Sequence, residues 1–210
     1  MKKREQNKLA RKTRIIEVAE KLFFEKGLRN VTMDEIAGRL RYSKATVYSY
    51  FASKDELFFE ICQRGNAILQ KQLQEAAAKH PLGVDKVRAL GRSFFEFALN
   101  YPHYYKFISY FVSGSDFSID EGLEIKMLHL DKILADCIQK GIDDGSIRQV
   151  NPQLVSKCLW AMATGVLDMI FQKGDLMQKN LGIEKMSLFE TFFQLLEQSL
   201  ALNLAANREV

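Results

Sequence analysis

The feature that most constrains this chain is a helical hydrophobic rhythm that runs almost unbroken from end to end. Apolar residues recur at i, i+3, i+4 and i+7 in nearly every segment, and strand-like alternation is nearly absent. Only 3 prolines and 12 glycines interrupt 210 residues, which favours long helices over sheets. An all-α fold is expected, and 47% hydrophobic residues supply a real core.

Charge divides the chain unevenly. Residues 1–54 hold 14 Lys/Arg against 6 Asp/Glu, a net +8, while the remainder holds 16 against 20, a net −4. A basic end on a mildly acidic body suits a polyanion; on charge alone, a solvated charged helix fits as well. No apolar core follows the basic N-terminus, so no signal peptide is expected. The most apolar internal stretch, 159–171, is too short to span a bilayer and contains Asp168. Cys62, Cys137 and Cys158 are odd in number and widely spaced, which suggests neither a disulfide framework nor a zinc site. A soluble, cytoplasmic chain with no membrane partner is the expectation.

The spacing predicts a first helix over 13–26, with Ile15, Ala19, Leu22 and Phe23 as its stripe and Gly27 just beyond its end. Thr32 and Glu35 have capping-box spacing and open a second helix with Met33, Ile36, Ala37 and Leu40 inward. After a short break at Arg41-Tyr42, Ser43 caps a short third helix over 44–51, with Val47 and Phe51 inward. Ser53 and Glu56 open a long fourth helix to about Lys79. Further helices are expected at 84–100, 102–112, 120–144, 151–173 and 184–205, with loops around Gly174 and Gly182.

Two short helices joined by a tight turn form a helix-turn-helix. The third helix exposes Lys44, Ala45, Thr46, Tyr48, Ser49 and Tyr50. Hydroxyls donate to phosphate oxygens, lysine reaches guanine acceptors, and a threonine methyl touches a thymine methyl. Thr46 is the candidate base reader. An ordinary helical hairpin is the bland alternative.

The run from Gly27 through Thr32, Ile36-Ala37, Ser43, Tyr48-Ser49-Tyr50-Phe51 and Lys54 to Leu57 resembles the DNA-binding segment of the tetracycline-repressor (TetR) family. With the flanking first helix the match covers about 45 residues without gaps. Three positions depart from the pattern. Arg41 stands where the family commonly has a turn glycine, Ala45 replaces a glycine, and Tyr50 replaces a histidine. By resemblance, Thr32, Ser43, Lys44, Tyr48, Tyr50 and Lys54 contact DNA, mostly its backbone. Tyr42 either packs in the core or touches a phosphate. The basic tail, 1–12, either reaches the groove or is a disordered solubilising extension.

The resemblance implies a helix-turn-helix domain over 1–54, then a helical effector-binding and dimerisation domain over 55–210. Ten of 23 aromatics fall in residues 94–117, more than one small helix pair needs for packing. From these, Phe94, Phe97, Tyr101, Tyr104, Phe107 and Phe111 are candidate walls for a small apolar or aromatic effector, joined by Met127 and Trp160. The helix at 184–205 is apolar on two faces, Phe189, Phe193, Leu196, Leu200 and Leu188, Phe192, Leu195, Leu202. One face suits its own core and the other a second copy, as the family's dimers also imply. An isologous dimer reads a near-palindromic duplex.

The expected function is a ligand-responsive, DNA-binding repressor. His80, His103 and His129 lie far apart, and no nucleophile elbow or phosphate loop appears, so neither an enzyme nor a cofactor is expected. The alternative is a helical module whose basic end binds an anionic membrane surface or a protein partner.

Overall fold

The structure, a computed structural model, describes residues 3–112 and 129–200. Its elements are helices, as the periodicity predicts. They are α1 (Lys3–Lys26), a short 3-10 turn (Leu28–Asn30), α2 (Met33–Leu40), α3 (Lys44–Tyr48), α4 (Lys54–Ala78), α5 (Gly83–Asn100), α6 (Pro102–Val112), α7 (His129–Asp143), α8 (Pro152–Leu181) and α9 (Lys185–Leu200).

The chain packs as two compact units. One takes α1 to α3, α4 as far as Ala67, and α6; the other takes α4 from Ile68, with α5, α7, α8 and α9. The division therefore falls inside α4 and not at the expected 54/55. Leu57, Phe58, Ile61 and Cys62 are wholly buried and belong to the first unit's core. The first helix also begins ten residues earlier than expected. Residues 3–12 have helix-forming Lys, Arg, Glu, Gln, Leu and Ala, but no apolar stripe to mark them.

In the first unit, Ile15, Ala19 and Phe23 pack with Ile36, Val47 and Phe51, all almost fully buried. Gly65 on α4 lets α6 approach closely, because a Cβ there would stand 2.8 Å from the Tyr104 ring. The Tyr104 hydroxyl donates to Glu20 on α1, and Arg64 reaches the same carboxylate at 3.4 Å. Phe107 packs against Phe24 and Phe58 at centroid distances of 5.4 and 5.1 Å.

In the second unit, α5 and α7 cross at glycine. A Cβ on Gly83 would lie 2.0 Å from the backbone nitrogen of Gly141, and one on Gly141 would stand 2.4 Å from the Ile147 side chain, so neither position leaves room for a side chain. The α8 helix runs eight residues past its expected end. Gly174 does not form a loop; it is buried in the helix, where a Cβ would meet the Lys185 stem at 2.7 Å. The stop is Gly182, left-handed at φ 68°. The inner stripe of α8 is Ser156, Leu159, Ala163, Leu167, Ile170 and Gly174. By length and composition alone α8 could cross a membrane, although that stripe is buried within the unit. Its other face exposes Met162, Met169 and Leu176, spaced by seven residues, and α9 leaves Leu195 62% exposed. Residues 120–128 and 201–205, expected to be helical, lie outside the described residues. Burial pushes the Cys62 and Cys137 thiols up, which keeps them protonated and unreactive.

The N-terminus of α5 has no cap of its own. Asp144, in the loop after α7, supplies one by accepting from the Gly83 amide at 2.7 Å, and the Ser146 hydroxyl accepts from Val84. The Ser146 hydroxyl, then the Gly83 amide, hold the Asp144 carboxyl below its usual value of 3.8. The folded chain therefore favours the ionised carboxylate more than the unfolded chain does. Its stabilising effect is complete above that usual value and lost as pH falls through the lower folded one. Asp144→Ala is expected to lower Tm at pH 7, and in thermal melts its gap from the unmodified chain should close progressively below about pH 4.

Candidate functional site

The helix-turn-helix is built from local backbone chemistry. Helix α2 begins at Thr32, whose hydroxyl accepts from the Glu35 amide at 3.2 Å. The reciprocal arm of the expected capping box is not used that way: the Glu35 carboxylate pairs with Lys26. The helix ends at Arg41, held left-handed at φ 56°, ψ 37°. The Arg41 amide reaches Gly38 O at 3.1 Å and the Tyr42 amide reaches Ala37 O at 3.0 Å, a Schellman closure. Among the described residues Arg41 alone has positive φ without being glycine. The turn survives the loss of glycine, at a cost in backbone energy.

Ser43 caps α3, accepting from the Thr46 amide at 3.1 Å, and its hydroxyl meets that of Thr46 at 2.8 Å. Helix α3 stops at Tyr48, three residues sooner than expected. The Tyr50 and Phe51 amides both turn back to Val47 O, so Phe51 is still fully buried. The exposed residues are Ser43, Lys44, Ala45, Tyr48 and Ser49, while Thr46, Tyr50 and Tyr42 are half-buried. Lys44 pairs with Asp34 of α2 across an exposed gap, a contact weak enough for a phosphate to displace.

Lys54 is placed differently from a simple phosphate contact. Its ammonium donates to Leu28 O at 2.9 Å and Val31 O at 3.1 Å, tying α4 to the segment that leads into Thr32. Two of its three protons are thus used by the protein's own backbone. Lys12, from the basic tail, reaches Glu60 at 2.5 Å and sits 5.5 Å above the Phe51 ring. Lys3, Arg4, Lys8 and Arg11 are exposed on helical backbone. Arg39 and Arg41 are exposed cations beside the turn that sequence reasoning did not count, although the polar face of α2 was a signal for Arg39.

The family model described as "Bacterial regulatory proteins, tetR family" matches residues 15–61, the segment just described. Over that segment the chain is similar to the tetR family. An HTH-type transcriptional regulator of Staphylococcus aureus is 43% identical over 51 residues, 24% of this chain and 28% of that protein. The HTH-type transcriptional activator FasR of Mycolicibacterium smegmatis is 31% identical over 87 residues, 41% of this chain and 40% of its own length. Those matches thus span well under half of either relative. A TetR/AcrR-family regulator from Thermobifida fusca has the same fold, with a TM-score of 0.65 at 21% identity over 90% of this chain and 97% of that one.

Beyond the tetR-type head, the second unit holds an apolar cavity of about 70 Å³. Phe94 and Trp160 form one wall, with ring centroids 4.5 Å apart. Leu73, Val87, Leu134, Leu159, Phe192 and Phe193 are among the others, and among the described residues Arg88 is the one charged member of the lining. Of the expected effector residues that are described, Phe94 and Trp160 line it. Phe97 is wholly buried in the core, and Tyr101 is exposed beyond α5 with its ring 5.5 Å from Phe97. Tyr104 and Phe107 belong to the first unit, where they pack on α1 and α4. Met127 and the side chain of Phe111 lie outside the described residues. The aromatic run was thus divided between two cores, because the chain changes unit between α5 and α6.

Lys44 and Lys54 should separate in experiment. Lys44→Ala is expected to leave Tm unchanged and flatten the log–log salt dependence of duplex binding by about 0.9. Lys54→Ala removes a donor from two carbonyls and is expected to cost about 1–3 kcal/mol of stability, read by denaturant melts. Arg41→Gly relieves the left-handed residue and should raise stability by about 0.5–1 kcal/mol in the same assay.

Proposed function

We propose that this chain is a ligand-responsive transcriptional regulator that binds a near-palindromic DNA duplex as a homodimer. The observation that carries the reading is the exposed surface of α3, launched from the Arg41 turn inside the segment that matches the tetR family. Thr32 and Ser43 cap helices through their oxygens, and a capping hydroxyl keeps its own proton as a donor for a phosphate. Lys44, Tyr48 and Tyr50 extend that backbone contact, Tyr42 borders it, Thr46 reads a base edge, and the helical basic extension adds cations. Lys54 acts chiefly by positioning the entry to α2.

Dimerisation is supported by the outer face of α8, with Met162, Met169 and Leu176 on one line, and by Leu195 on α9. Exposed apolar surface of this kind marks an interaction site. The apolar cavity supports an effector. Its roughly 70 Å³ is about half of the 150 Å³ cavity that accepts benzene. An aromatic effector must therefore select a state whose walls stand further apart. A hundredfold loss of DNA affinity requires about 2.7 kcal/mol of preference for that state. Helix α4 provides a route, since Leu73 lines the cavity and Lys54 of the same helix holds the segment before Thr32. Repression is the favoured outcome because occluding a promoter needs no further surface; activation is the alternative, and the mycobacterial relative is named an activator.

The test selects duplexes from a random library and measures binding by anisotropy across salt concentrations. A palindromic consensus and a steep salt slope are expected. Met169→Glu should yield a monomer by sedimentation at micromolar concentration and lose preference for the two-half-site duplex. A monomeric unmodified chain, or binding indifferent to sequence, would overturn the proposal.

A further inference from the structure

Helix α5 faces two different spaces. One side lines the apolar cavity through Val87, Leu90 and Phe94. The adjacent side, with Asp85, Arg92 and Glu96, lines a polar cleft of about 390 Å³ against the end of α4. Arg88 is common to both. Its three-carbon stem suits the apolar side, and its guanidinium donates to Asp85 at 2.7 Å on the polar side. The cleft is nearly balanced in charge, with Lys79, Arg88 and Arg92 against Glu75, Asp85 and Glu96. It also contains the buried Gln72 Oε1, which has no hydrogen-bond partner, an acceptor that a head group or its bound water would satisfy.

We infer that cavity and cleft are the two halves of one site for an amphiphilic carboxylate with a short apolar tail. The tail lies against the wall that Phe94 and Trp160 form, and the carboxylate takes the Arg88 guanidinium in competition with Asp85. A guanidinium fork matches a carboxylate bidentately. The Arg88–Asp85 pair is about one-third exposed on each side, and an ion pair so open to solvent is weakly held. The small cavity favours a slim, flexible alkyl tail, part of which can extend toward the cleft, over a rigid aromatic ring, which does not fit without movement. This inference rests on the reading of the cavity as the effector site and narrows its ligand class.

Trp160 is the sole tryptophan of the chain and lines the cavity, so its fluorescence reports tail binding in the full-length protein without DNA. Hexanoate and hexan-1-ol share a tail and differ in the head. A saturable Trp160 change is expected for both, with hexanoate bound about tenfold more tightly. Arg88→Met should remove that preference and leave the alcohol unaffected. Asp85→Asn, which removes the competing carboxylate, should strengthen hexanoate binding, and it tests the proposal even if Arg88→Met fails to fold. Equal affinity for acid and alcohol, no effect of Asp85→Asn, or no saturable change would overturn it. Duplex binding by ligand-free protein is measured separately. Its absence would defeat the regulator reading alone, while its presence without hexanoate binding would defeat this inference alone.

Discussion

The candidate interface depends on one left-handed residue. Arg41 turns the chain so that the Tyr42 amide can reach back to Ala37 O, and only after that reversal does Ser43 start a helix in a new direction. Without it, α2 would run on, and Lys44, Ala45 and Tyr48 would lie along its own surface. The energy for holding arginine there comes from the packing on either side. Ile36, Ala37 and Leu40 before the turn, and Val47 and Phe51 after it, are all buried. A strained backbone persists where its surroundings over-determine it.

That turn shows what the sequence carried. The capping residues Thr32, Ser43 and Ser53 were legible because their oxygens serve amides only three positions away. The inward stripes of α1, α2 and α4 were legible because each repeats at helical spacing. Long-range partners left no such trace. Nothing at Lys54 announces carbonyls 23 and 26 residues away. Nor does Asp144 reveal an amide 61 positions earlier. Gly174 reads as a break by composition, yet it is a packing contact, because only the neighbouring Lys185 stem explains the missing side chain.

The aromatic run from Phe94 to Phe111 taught a related lesson. Density along the chain is not proximity in space. Phe94 lines a cavity, Phe97 fills the core of the same unit, and Tyr104 and Phe107 close the other unit against Glu20, Phe24 and Phe58. Pro102, at the start of α6, marks the change of unit. The cavity instead draws its walls from five helices, from Leu73 on α4 to Leu196 on α9, so no local pattern could have identified it.

The contact between Gly83 and Gly141 has a consequence for the cavity. It fixes how closely α5 approaches α7, and those helices also supply Val84, Val87 and Leu134 to the cavity walls. The width of the chamber is therefore set at a backbone contact that is not part of its lining. A side chain at Gly83 would have to push α7 away, and so would change the chamber while leaving every lining side chain as it was. The chamber's dimensions are inherited from the distance between two backbones.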